Sequence, residues 1–381
     1  MQWPRVIGNY AMALAFGFGV SIIGACLCSP VEAVDWPQFR GANRDGKSTE
    51  TGLLKKWPKD GPTELWSVEG LGIGFSSAAI ADGYVYTTGM VGQDKQGIVF
   101  AYDLDGNPKW KESYGPEWKG SHKGARTTPT IDGDRLYVFS GYGNLVCFDA
   151  KTGKKKWEID TLQKFDGKNI QWGVSESVLI FDNKVICTPG GKDATVVALD
   201  KMNGQTVWTS KGLSETSAYC CPVVITRGGK RLIATMVQES IVLIEPETGK
   251  LISRMPHVGK HFISAVSPIY KDGLIYGTTG YGVGGQAYEL SGDTTTGTVK
   301  WADKNLDCHH GGLILLGGDV HGSNHTGQGS NKGSWICLEL ATGKVKYSDK
   351  LIGKGSVIFA DGMLYCYGEN GKVGFVKGRV K

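Results

Sequence analysis

No stretch beyond residue 33 repeats its apolar residues at helical spacing, so helices are excluded as the main building element of this 381-residue chain. Net charge is scarce too: 42 Lys and Arg against 37 Asp and Glu leave +5. The lysines are spread over turns and form no stripe, which argues against a nucleic-acid partner. Nine cysteines are present, yet none forms a C-x-x-C metal pair or a C-x-x-C-H haem site. Cys147, Cys187, Cys337 and Cys366 each sit in an apolar run and read as buried free thiols. No Ser-His-Asp order and no phosphate-cradling loop stands out; the glycine-rich GYGVGGQ at 280–286 reads as a turn.

Glycine, by contrast, is abundant at 57 residues, placed between strand-like runs where a positive φ is needed. The stretch LYVFSGYGNLVCFDAKTGKKKWEID at 136–160 shows the unit: two alternating strands, a Thr152-Gly153 turn, then Trp157 four residues past the glycine. The unit recurs with Trp110, Trp208, Trp301 and Tyr347 in the aromatic slot, and with Ser253 as the exception. Before each unit stands a turn of Asp-Gly type, as at Asp82-Gly83, Asp132-Gly133, Asp272-Gly273 and Asp361-Gly362. A period of roughly 45–50 residues signals a propeller or a solenoid.

Trp66 resembles the tryptophan that ends each unit, yet no unit precedes it, and the last repeat, from Val357 on, stops without its final strand. A ring explains both, with the early strand completing the last blade, and closure removes exposed sheet edges. The expectation is an all-β propeller of seven four-stranded antiparallel blades at 63–381, with eight, one lost or truncated, as the alternative. Residues 34–62 read as an irregular arm laid over a preformed surface. Each slot tryptophan, burying about 150–250 Å² against a neighbouring turn, is worth at most about 4–6 kcal/mol, and Ser253 marks a weak joint.

Residues 1–33 read as a signal peptide: Arg5, an apolar run from Ala11 to Leu27, and Val31-Glu32-Ala33 as a small-x-small cleavage site. The rival is a lipobox, Ile23-Gly24-Ala25-Cys26, which would leave a lipid on Cys26 as the sole membrane attachment. Either way the protein is expected to be exported, to the periplasm or outside the cell, or to the outer membrane as a lipoprotein.

In a propeller the inner strands start at one mouth of the central channel. The residues there are polar in every repeat: Ser76-Ser77, Arg126-Thr127-Thr128, Ser175-Glu176-Ser177, Tyr219-Cys220-Cys221, Ser264 with Ser267, Cys308-His309-His310, and Lys354 with Ser356. Arg126, Thr128, Glu176, Tyr219, Cys220, Cys221, His309, His310 and Lys354 are the candidate ligand-binding set, with cations at Arg126 and Lys354 and the anion at Glu176. The bland alternative is that these side chains pair with one another and with channel waters. His310, His321 and His325 are weak metal candidates; adjacent histidines in a strand face opposite ways, so at most one of His309 and His310 could join His321 and His325.

The pattern A-x-D-x-x-T-G-x-x-x-W, as in CFDAKTGKKKW and VALDKMNGQTVW, resembles the repeat of the PQQ-like β-propeller superfamily, which includes quinoprotein alcohol dehydrogenases and BamB-type outer-membrane assembly lipoproteins. The phrases DWPQFRGANRDG, GARTTPTIDGDRLYV, CTPGGKDATVVALDK and ADGMLYCYGENG resemble exported members from planctomycete-type bacteria, loosely named polyvinyl-alcohol dehydrogenase-like. The resemblance covers the whole mature chain. It implies the fold; for activity it leaves open a binding or interaction module of the cell envelope for a small molecule or an envelope protein, a PQQ- and calcium-dependent alcohol dehydrogenase, or an outer-membrane assembly scaffold. The dehydrogenases close a disulfide between adjacent cysteines over the cofactor, which by resemblance points to Cys220-Cys221. Their calcium-binding Glu, Asn and Asp set and their aspartate base have no assigned counterpart in this sequence.

Overall fold

The turn at Asp149 shows why the repeat folds as it does. Asn144–Asp149 leaves one strand and Lys155–Asp160 enters the next. Between them Gly153 N donates to Asp149 O at 2.9 Å and Asp149 N to Lys154 O at 2.8 Å. The Asp149 carboxylate accepts from Thr152 N and Oγ1, which is the physical content of the recurring Asp-x-x-Thr-Gly. The strand pair then shifts register just past Cys147, the residue opposite Trp157. The same β-bulge recurs beside the partners of Trp110, Trp208, Ser253, Trp301 and Tyr347, adding twist at one fixed place in each unit.

In the computed structural model residues 34–378 are described, except 60, 94, 291, 293–296, 326–331 and 351. The signal-peptide and lipobox readings, Cys26 included, lie outside the described residues. Seven antiparallel sheets follow one another at 79–116, 130–160, 179–209, 223–256, 269–303, 314–349 and 355–377. The first six have four strands in sequence order and the seventh has three. This is the all-β propeller expected, with seven blades. The core lies between blade faces: Tyr86 and Val99 of the first pack with Leu136, Val146 and Phe148 of the second, and the interfaces that follow, up to that of the sixth and seventh blades, repeat the arrangement.

Each slot tryptophan locks its blade to the next. The indole N–H of Trp110 donates to Ala150 O, Trp157 to Lys201 O, Trp208 to Pro246 O and Trp301 to Leu340 O, at 2.8–3.1 Å. The ring lies on the turn glycine of that neighbour, where a Cβ on Gly249 would stand 2.4 Å from Trp208. At the joint expected to be weak, Met255 reaches Gly297 from two residues past Ser253, its sulfur 2.9 Å from where a Cβ would stand. Trp208 is only 7% exposed, so Trp208→Ala should cost about 3–5 kcal/mol in urea unfolding. A loss within about 0.5 kcal/mol, as at an ordinary surface site, would refute the lock.

Closure differs from the expected strand addition. Trp66 does make the lock, donating to Leu104 O at 2.8 Å and covering Gly106 of the first blade. Its surrounding residues, however, form no strand, and the outer strand of the last blade, Val373–Lys377, pairs only with Met363–Gly368 among the described residues. Trp57 instead meets Phe375 edge-on, with ring centres 4.8 Å apart.

The arm carries most of the closure. It enters the hub from the Asp-Gly face and touches six of the seven blades. Trp36 exchanges two backbone bonds with Ile80, Pro37 O accepts from Ile131 N, and Gly46 O and Ser48 N bracket Phe359. Arg40 donates to Leu313 O through a gap that only Gly312 leaves open. Arg44, 4% exposed, donates to Ser177 O at 2.8 Å, to Pro222 O at 3.4 Å and to Val178 O. The arm is therefore a plug inside the ring, and the channel is blind.

Candidate functional site

All inner strands start at the face opposite the arm's entry, and the polar residues read there from the sequence do meet. Ser77 N donates to Thr128 Oγ1, Thr128 N to Ser177 Oγ and Ser177 N to the Cys221 sulfur, at 2.9–3.2 Å, while Ser267 Oγ donates to Cys221 O at 2.7 Å. Each link joins one blade to the next. Thr128, Ser177 and Cys221 are consequently buried staples with their capacity used on one another.

Glu176 and Cys220 are buried beside these staples. Glu176 is fully buried, and neither oxygen makes a hydrogen bond of good geometry. Burial pushes its carboxyl up to about 8, against the opposing pulls of Thr188 and Arg44, so it is neutral at pH 7. Cys220 and Cys221 are free and buried. Burial pushes the Cys220 thiol up to about 12 and also raises Cys221, which keeps both protonated and unreactive.

An arc of rings runs beside them, with His261 exposed, Trp172, Tyr281 and His309 half-buried, and Tyr219 and His325 buried. Trp172 lies 6.1 Å from Tyr219 and 6.4 Å from His261; His261 lies 5.8 Å from Tyr281; Tyr281 lies 4.7 Å from His309 and 4.9 Å from His325. Tyr219, His261, Phe262 and Tyr281 adopt φ of 57–72°, a left-handed backbone that is costly for large side chains and collects at functional surfaces. Tyr281 is held so by Asp307, whose carboxylate accepts from Gly282 N and Gly284 N at 2.8 and 2.7 Å. At one end of the arc Arg126 donates to Trp172 O and His122 O and lies over the exposed Phe75 ring at 5.8 Å.

At the other end sits a basic knot. Lys354 Nζ donates to His325 Nδ1 at 3.1 Å and lies 3.5 Å from Glu369, which His310 Nε2 approaches at 3.4 Å. A cavity of about 10 Å³ among His309, Asn324, His325, Lys354 and Glu369 has room for about one water. Burial, then the charges of His310, His325 and Lys354, drives His309 down to about 3, so it stays neutral. The rings of His309 and His310 are 4.6 Å apart on the same side, contrary to the strand argument, because residues 309 and 310 form a bend. His321 does not join them. Its Nδ1 is 2.9 Å from Tyr347 Oη, deep in the sixth blade, and no group of three or more His, Cys, Asp or Glu is placed to hold a metal among the described residues.

Comparison with known proteins bears on this geometry. A family model described as outer membrane protein assembly factor BamB matches residues 95–349, two thirds of the chain. The chain belongs to this PQQ-repeat propeller family. Quinoprotein alcohol dehydrogenase PedH of Pseudomonas putida is 27% identical over 254 residues, covering 63% of this chain and 40% of PedH. BamB of Kangiella koreensis is 26% identical over 215 residues, covering 54% of this chain and 49% of that protein. The chain thus spans under half the length of each. Among solved structures, BamB from Moraxella catarrhalis superposes with a TM-score of 0.56 at 19% identity, covering 79% of this chain and 81% of that one. Quinohemoprotein alcohol dehydrogenase ADHIIG from Pseudomonas putida HK5 gives 0.60 at 13% identity, covering 90% and 71%. These likenesses establish the fold shared across the PQQ-repeat family. Within that frame, Trp172, His261, Tyr281 and Asp307 are the mouth residues missed by lining up strand starts, because they lie in linkers and in the turn at 280–283. The Gly-Tyr-Gly at its head was the available signal.

Proposed function

We propose that this propeller is a binding module of the cell envelope that takes a ring-bearing small molecule on the aromatic arc at its mouth. The supporting observation is the run of rings from Trp172 to His325 carried on strained backbone, with Asp307 clamping Tyr281. Offset or edge-on stacking on such rings binds flat ligands with few polar contacts. Export follows from the reading of residues 1–33 and accords with relatives named for outer-membrane assembly.

The quinoprotein dehydrogenases among the relatives raise PQQ and calcium as a second reading. The residues present do not fit it. Calcium takes six to eight oxygen ligands, largely carboxylate and carbonyl, whereas Glu176 keeps its proton at neutral pH beside the Arg44 guanidinium. The Cys220 and Cys221 thiols lie buried and protonated beneath the surface that a ring would touch.

Titration with panels of aromatic acids and oligosaccharides, followed at the Trp172 indole N–H by NMR, tests the proposal. At least one class should shift that signal, and Tyr281→Ala should weaken it by about 3–10-fold without changing the unfolding midpoint. An unmoved signal across both panels, or dye reduction by an alcohol after addition of PQQ and calcium, would replace this reading with another.

A further inference from the structure

The six complete blades each cover their third strand with a fourth, but the seventh ends on Val373–Lys377, whose outer side pairs with nothing among the described residues. Gly368 N donates to Lys372 O, so residues 372, 374 and 376 turn their backbone groups inward by antiparallel alternation. Val373, Phe375 and Lys377 therefore point theirs outward. Beside them lies a groove of about 640 Å³ lined by Val373 and Phe375 and by Lys55, Lys56, Trp57 and Lys59, with Trp57 edge-on to Phe375.

The groove is cationic as well as hydrogen-bonding. Of its lining lysines Lys55 is paired with Asp361, but Lys56 and Lys59 have no carboxylate within ion-pair distance among the described residues, nor have Lys372 and Lys377 at the two ends of the edge strand. We propose that this edge is a docking site for an extended acidic segment of a partner protein, which adds itself as the missing fourth strand. Main-chain bonds to Val373, Phe375 and Lys377 supply affinity, and the lysines select carboxylates on the incoming strand. Pairing of two copies through the same edge is disfavoured, because each would bring the same lysines against its twin.

The probe is a fluorescent, N-acetylated peptide alternating valine and glutamate, with a valine–lysine peptide as control, added to the full chain. The acidic peptide should bind and slow hydrogen exchange at Val373, Phe375 and Lys377, and affinity should fall steeply with salt. V373P removes one outward donor at the start of the strand, where proline is tolerated, and should abolish binding. The pair K56E/K59E, on exposed side chains, should leave the circular dichroism unchanged and weaken the acidic peptide by about tenfold or more. Equal binding of the lysine peptide, binding without protection of these amides, or no binding at all would overturn the proposal. So would a dimer of the free protein with the same amides already protected, since a second copy would then be the occupant.

Discussion

Arg44→Ala should lower the melting temperature on the order of 10 °C while the face at the mouth stays chemically unaltered. The guanidinium is the point where the arm is bolted to the third and fourth blades, through Ser177 O, Val178 O and Pro222 O, and its Nε reaches Gln38 at 2.8 Å. Alanine would remove those charge-assisted bonds and orphan carbonyls that water cannot reach. The expected loss is about 3–5 kcal/mol in chemical unfolding. Arg44→Lys keeps the charge but not the planar fork and should recover only part of it. An alanine variant as stable as the parent would mean that the arm merely rests in the hub.

Glu176→Gln should remove a pH dependence that its parent shows. The folded carboxyl sits at about 8, above the ordinary 4.5, so the folded state keeps a proton that the unfolded chain releases. This contribution to stability is complete below about pH 4.5, shrinks as pH rises, and is gone once pH passes 8, at about 1.4 kcal/mol per pH unit in between. The urea midpoint of the parent should therefore fall between pH 5 and 9 relative to Glu176→Gln. Since Arg44 holds the carboxyl down, Arg44→Ala should move it higher still and widen that gap. Parallel pH profiles for parent and glutamine variant would show that the carboxyl has solvent or a partner.

The repeat was readable because its causes are local. Asp149, Thr152 and Gly153 make their turn with one another, and Trp157 recurs at constant distance from them, so blade order and the locks emerge from spacing alone. Nothing local marks the partners of the arm. Arg40 meets Leu313 and Arg44 meets Val178, contacts 273 and 134 residues apart, and the Pro- and Gly-rich opening looks like loose chain until the hub surrounds it. The mouth was half legible for a similar reason. Lining up strand starts located Thr128, Ser177 and Cys221, which turn out to staple blades, but passed over rings carried by linkers outside the strand register. Glu176 looked like an accessible anion because residue type does not reveal that Arg44 and two cysteines would be packed around it.

The plug also bears on how the chain acquires its shape. Its bonds join Gly46 to Phe359 and Leu53 to Asp361, so the earliest-made part of the body is finished only with the last. Closing loops of that length carries an entropy cost that neighbouring hairpins avoid, and such topologies fold slowly. Individual blades can zip from their own hairpins, but the arm must wait, unsatisfied and sticky, for the final one. The slowest kinetic phase of a chain of this design should therefore report threading of the hub, not formation of any blade.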